Sequence, residues 1–188
     1  MRCFVAIELP EEIRKRLLEL QSRFGKLDRF VRWVHPDQIH LTVKFLGEVP
    51  DRQVSAVCAA AKAAAAASRP FEVEISGTGC FPDHGPVRVL WAGIPELPPP
   101  LLTVQQAMEK HCVELGFPRE TRAFRPHLTL GRTREGASAS MVRTALEREA
   151  GFVVGRFDVE ALTVFQSVLQ PAGATYSILA HARLGEQA

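Results

Sequence analysis

Hydrophobic positions recur along this chain in two rhythms, and the changes between them mark its elements. Residues 2–9, RCFVAIEL, form an apolar, β-rich run suited to a buried strand. Pro10-Glu11-Glu12 then opens a helix, with proline in the first turn and acids at the positive end of the dipole. Ile13, Leu17, Leu18 and Phe24 supply its apolar face, and Gly25 its stop. A short strand is expected at 30–34, ended by His35-Pro36-Asp37, and a longer one at 38–47, QIHLTVKFLG. Pro50-Asp51 starts a second helix that an alanine run carries to Ser68, alanine having the highest helix propensity. Alternation in FEVEIS predicts a half-exposed strand at 71–76. The glycines and prolines of 77–86 predict a loop, and VRVLWAG a strand at 87–93.

The proline-rich segment 94–100 reads as a stiff connector and as the midpoint between two lobes. A helix follows over 101–115, closed by Gly116 and Pro118. Next come a strand at 126–132, a helix at 139–150, and two long strands at 156–168 and 174–184 joined by a hairpin turn in QPAGA. Some strands follow one another through short loops while others are separated by helices. That mixture predicts an α+β fold with largely antiparallel sheets, in an order resembling a split βαβ unit. The 188 residues suit a single domain, 1–188, with two lobes sharing one core.

Composition adds limits. Apolar residues at 46% are enough to bury a core without staples. Cys3, Cys58, Cys80 and Cys112 lie far apart in sequence and form no metal-binding pair; Cys3 and Cys58, among apolar neighbours, read as buried thiols. The first residues reach acids too soon for a signal peptide, and no apolar run approaches the roughly 20 residues of a membrane span. The expectation is a soluble, cytoplasmic protein with reduced thiols and, by default, a monomer. A net charge of +2 does not argue for a nucleic-acid coat, but Arg119–Arg134 concentrates arginines with Glu120 as the one acid among them.

One pattern stands out. HLTV begins at His40 and HLTL at His127. Side chains alternate along a strand, so His40, Thr42 and Lys44 share one face while Leu41, Val43 and Phe45 pack behind; His127 and Thr129 likewise share a face, backed by Leu128 and Leu130. A one-residue slip would bury the histidines, so the apolar face fixes the polar one. Paired imidazoles near neutrality suit general acid–base chemistry at phosphorus: one removes a proton from the attacking oxygen, the other gives one to the leaving oxygen. Threonine hydroxyls can hold the non-bridging oxygens, and Lys44 or nearby arginines can offset their charge. The alternative use of two histidines, a metal site, needs further ligands, and Asp and Cys are missing from the positions around both motifs. His35, His84, His111 and His181 read as structural or solvent-facing.

The stretches MRCFVAIELP, WVHPDQIHLTVKFLGEVP, FP followed by VRVLWAG, LGFPRETRAFRPHLTLGR and SVLQPAGATYSIL together resemble the RNA 2′,3′-cyclic phosphodiesterase family, historically called 2′-5′ RNA ligases, within the two-histidine phosphoesterase superfamily. The resemblance covers nearly the whole chain. It implies a two-lobed, pseudo-twofold α+β fold, with two antiparallel sheets facing a central cleft and helices outside. It implies hydrolysis of 2′,3′-cyclic phosphate at RNA ends to a 2′-phosphate, without metal or other cofactor, and 2′-5′ ligation as the reverse reaction. His40, Thr42, His127 and Thr129 are the implied catalytic set, with His127 activating water and His40 protonating the departing 3′ oxygen, or the roles exchanged. Lys44, Arg125 and Arg132 are the implied phosphate-binding residues. Simple alternation turns Arg132 away from the His127 face, so the strand ends or bulges before it, its side chain wraps round, or its role is structural. Phe45 and Phe81 are candidates to stack on a base, although the parity of Phe45 places it in the core. Two other functions fit the same residues: an RNA-binding module without turnover, and a phosphodiesterase for small cyclic nucleotides or ADP-ribose derivatives.

Overall fold

The computed structural model describes residues 1–170 and 173–186 and has the expected α+β architecture. The first half runs β1 (Arg2–Ile7), α1 (Glu11–Arg23), β2 (Val31–Trp33), β3 (Leu41–Glu48), α2 (Val54–Ala66), β4 (Phe71–Ser76), β5 (Thr78–Phe81) and β6 (Val89–Gly93). The second half runs α3 (Pro99–Glu114), β7 (His127–Thr133), α4 (Ala139–Arg148), β8 (Val153–Val159), β9 (Ala161–Gln170) and β10 (Gly173–Arg183). Every pairing described is antiparallel.

One sheet has the order β10-β9-β1-β3, the other β2-β7-β6-β5, and β4-β8 form a third, two-stranded ribbon. The sheets do not divide the chain at the proline-rich connector. The first sheet is built from the two ends of the chain, and the second from its middle together with β2. The sheets come within 8 Å of each other along β3 and β7. Helix α2 lies on β9 and β10 and against α3, which also packs on β3; α1 packs on β8 and α4 on β5. The alanine run of α2 buries Ala60, Ala61, Ala64 and Ala65, and such small side chains allow close approach of its neighbours.

Three elements differ from the sequence reading. Residues 78–81, expected as loop, form β5, the outer strand of the second sheet, because Thr78–Phe81 find partners in Val89–Ala92. The single strand expected over 156–168 is two strands. It breaks at Glu160, where the chain leaves its partner β4 for the first sheet. The strand expected from Gln38 begins at Leu41, since Pro36–Gln38 close a 3₁₀ turn. In α1, Leu18 is 54% exposed; Ile13, Leu17, Leu20 and Phe24, spaced 4-3-4, make the buried stripe that a 3.6-residue repeat demands. The turn expected between β9 and β10 centres on Pro171 and Ala172, which lie outside the described residues. All four cysteines are free thiols.

Candidate active site

Each His-Leu-Thr tripeptide sits where apolar packing fixes its direction. Leu41 and Val43 are buried behind the first, Leu128 and Leu130 behind the second, while the histidines and threonines remain half-exposed. Each ring is held by a carbonyl two residues upstream: His40 Nδ1 lies 2.9 Å from the Gln38 oxygen, and His127 Nδ1 lies 2.7 Å from the Arg125 oxygen. A carbonyl only accepts, so Nδ1 carries the hydrogen in both rings and Nε2 keeps the lone pair. An aromatic ring backs each imidazole. Phe4 stacks on His40 at 4.6 Å, and Phe81 meets His127 edge-on at 4.9 Å.

The resemblance between the two motifs extends to a defect in each ladder. On β3, Ala6 pairs with Thr42 but Val5 with Lys44, so Val43 is extra. On β7, Trp91 pairs with Thr129 but Leu90 with Gly131, so Leu130 is extra. Both bulges follow the threonine directly, and each reverses the facing of what comes next. The carbonyl of the extra residue Leu130 is satisfied from outside the ladder: it accepts from Gln21 Nε2 at 2.9 Å and from the Val34 N–H at 2.9 Å.

These bulges correct the sequence reading at three residues. Lys44, expected beside His40, points the other way. It is 7% exposed, pairs with Glu109 at 2.7 Å, and donates to the Pro118 carbonyl. Buried and engaged, it is placed as a strut rather than as a phosphate contact. Phe45, expected in the core, is 52% exposed on the His40 side; its ring lies 6.3 Å from Phe4, with Arg2 at 5.0 Å from its centroid. Arg132, expected to face away, is exposed on the His127 side; its charge adds to the lowering of His127 and opposes the burial that raises the Tyr176 phenol. Tyr176 in turn meets His40 edge-on at 5.4 Å. Arg132 therefore lies close enough to act on both His127 and Tyr176, where β3 and β7 approach within 8 Å of each other. Arg125 lies over Phe81 at 4.6 Å and makes two bonds to Asp83, so its guanidinium is engaged at the rim. Tyr176, Phe4 and Trp91 were not singled out in the sequence; the signal for Tyr176 was only its place on a strand face.

Burial sets the electrostatics. It pushes His40 down to about 4, against the opposing bond to Gln38. His127 is lowered for the same reason, with Arg125 and Arg132 adding to the effect. Among the described residues no group of three or more His, Cys, Asp or Glu side chains is arranged to hold a metal ion. Nor is any helix there long and apolar enough to cross a membrane. Beside His127 lies a cavity of about 390 Å³, walled by Phe81, Trp91, Phe124 and Leu97 with Thr78 and Arg125 at its edge. The size and the apolar lining with few polar groups suit a small organic ligand.

The family model described as LigT like Phosphoesterase matches the chain twice, at residues 7–91 and 93–176, one match for each histidine motif. An RNA 2′,3′-cyclic phosphodiesterase of Methanothermobacter thermautotrophicus is 29% identical, over 94% of this chain and 95% of its own. Its counterpart from Thermus thermophilus is 34% identical, over 95% of this chain and 88% of its own. The crystal structure of Escherichia coli LigT complexed with 3′-AMP superposes with a TM-score of 0.80 at 25% identity, covering 98% of each chain. With the family model covering nearly all of its length in two copies, the chain belongs to the LigT-like phosphoesterases.

Proposed function

We propose that this chain opens 2′,3′-cyclic phosphates at RNA ends, leaving a 2′-phosphate and a free 3′ hydroxyl, by acid–base catalysis between His40 and His127. Relatives named for that activity support it, and the observation that carries it is the duplicated geometry. Two imidazoles are each fixed through Nδ1 with Nε2 left for proton transfer, each with a threonine two residues further along its strand, and in the proposed reaction they stand on either side of one phosphate. In the forward direction His127 Nε2 takes a proton from water as its oxygen bonds to phosphorus. The P–O3′ bond breaks, and His40 Nε2 supplies a proton to the departing oxygen. Thr42 and Thr129 donate to the non-bridging oxygens, and Arg132 offsets their charge. None of these steps calls on a metal. The same ring opening with an RNA 5′ hydroxyl in place of water, again breaking P–O3′, is 2′-5′ joining. Water outcompetes that hydroxyl unless the second end is held, so hydrolysis dominates.

The nucleoside bearing the phosphate fits the aromatic cavity beside His127, where Phe81 and Trp91 offer flat apolar faces to a base. The test is a short RNA ending in a 2′,3′-cyclic phosphate, incubated with EDTA. The parent protein opens the ring. His40→Ala and His127→Ala each lose about 10²–10⁴-fold. Ring opening by His40→Ala at the parental rate sinks the proposal, as does complete inhibition by EDTA.

A further inference from the structure

We infer that the RNA strand on the 5′ side of the reacting end leaves the site past Phe124 and lays its phosphates in a second groove, against Lys110 and Arg119. The inference rests on the catalytic reading above and names what that reading leaves open.

A second cavity, of about 320 Å³, lies between α3 and the segment leading into β7, lined by Gln105, Gln106, Glu109 and Lys110 of the helix and Arg119, Glu120 and Arg122 of the segment. Phe124 lines both this groove and the cavity beside His127. The two spaces therefore meet at one aromatic ring, three residues before the catalytic histidine. Their chemistry differs in the order a nucleotide chain requires. The inner space is aromatic and apolar, suited to a base; the outer one offers cations and amides, suited to phosphate.

The carboxylates of the groove are already matched. Glu109 turns inward, pairs with Lys44 at 2.7 Å and accepts the Glu120 N–H at 2.7 Å. Glu120 accepts from Arg122 through Nε at 3.0 Å and Nη2 at 2.8 Å, which holds its carboxyl down at about 2. Lys110, 75% exposed and at the 4.0 Å limit of contact with Glu114, and Arg119 are left to meet an anion. The arginine-rich stretch of the sequence thus has one spatial meaning. Arg119 and Arg122 line the groove, Arg125 edges the inner cavity and Arg132 lies on the His127 side; Arg122 and Arg125 are engaged by Glu120 and Asp83, which leaves Arg119 for the strand at the groove.

The test is a series of cyclic-phosphate substrates sharing one terminal base: the mononucleotide, a dinucleotide and a tetranucleotide extended to the 5′ side. At low salt, kcat/KM is expected to rise about tenfold or more from the shortest to the longest. The double variant Lys110→Ala/Arg119→Ala removes most of that rise through KM and not kcat, so its deficit grows with substrate length. The slope of log kcat/KM against log salt for the tetranucleotide falls by about 1.4, two phosphate contacts at roughly 0.7 each for a single strand. Arg183→Ala, an exposed cation on β10, serves as the charge control. Equal kcat/KM at all lengths overturns the track, as does a double variant that slows every substrate alike; the catalytic reading survives both. Failure to open even the mononucleotide overturns the catalytic reading, and the track with it.

Discussion

Burial holds both imidazoles toward the neutral form. His40 is pushed down to about 4 by loss of solvent, and His127 is lowered by its own burial, with Arg125 and Arg132 adding to the effect. If His40 is the donor to the leaving oxygen, as proposed, the bound phosphate anion must supply the charge that puts a proton on its Nε2. The sign of the pH dependence follows. Both pKa values lie below the ordinary 6.5, and productive free enzyme needs one ring neutral and one protonated. The bell of kcat/KM therefore peaks below pH 6.5. A bound phosphate anion restores both values upward, so the bell of kcat lies at higher pH. Arg132→Gln removes a cation from beside His127; it lowers kcat/KM and moves one limb of the kcat/KM profile to higher pH. Stopped assays from pH 4 to 9 check both. A flat profile argues against paired imidazoles, and an unmoved limb in Arg132→Gln argues that this arginine is structural.

At the scale of the element, the bulges are what build the cleft. Without the extra residue Leu130, Arg132 turns away from His127; without Val43, Lys44 faces the cleft and Phe45 the core. Gln21 of α1, 5% exposed, holds the second bulge through the Leu130 carbonyl and also donates to Val34 at 2.8 Å. Gln21→Leu takes from the Val34 carbonyl its side-chain donor and leaves the Leu130 carbonyl with the Val34 N–H alone, at about 1–3 kcal/mol. It is expected to lower the melting temperature and, by loosening Arg132, to cut kcat/KM more than Leu20→Val, a buried change on the same helix. Equal effects of the two show that the bulge stands without Gln21. The same device marks what the sequence could reveal. Alternation places His40, Thr42, His127 and Thr129 because the ladder is regular up to the threonines. It fails immediately beyond, because a bulge depends on the partner strand and on a glutamine 109 residues away. The α+β class was legible from the rhythm of strands and helices. The break between β8 and β9 was not, since leaving one sheet for another at Glu160 changes the partner and hardly the pattern.

For the whole molecule, the question is what holds two sheets in one register, as the proposed reaction requires. One continuous cluster of buried apolar side chains joins both sheets, from Val5 and Val164 of the first to Leu90 and Leu128 of the second, while Phe4, Ala6 and Phe165 form a small separate cluster with Tyr176 packed on it. A polar strut crosses it at the level of the site. Lys44, just beyond the first histidine motif, pairs with Glu109 of α3 and donates to Pro118 at 3.3 Å, while Glu109 accepts from Glu120 in the segment that leads to His127. The pair thus ties the strand of one histidine to the approach of the other. Removing one partner of a buried pair leaves the other charge uncompensated, at about 3–5 kcal/mol, whereas removing both is far milder. Lys44→Met is therefore expected to unfold in a single transition at a markedly lower denaturant midpoint. Lys44→Met/Glu109→Gln, which keeps an acceptor for the Glu120 N–H, recovers most of the loss, so the double-mutant cycle shows strong coupling. Kinetics separate strut from ligand. A phosphate contact predicts that Lys44→Met raises KM at unchanged stability and that Glu109→Gln does not rescue it. A strut predicts that stability and activity fall together and return together in the double variant. Urea titration with parallel ring-opening assays on the four proteins of the cycle decides between them.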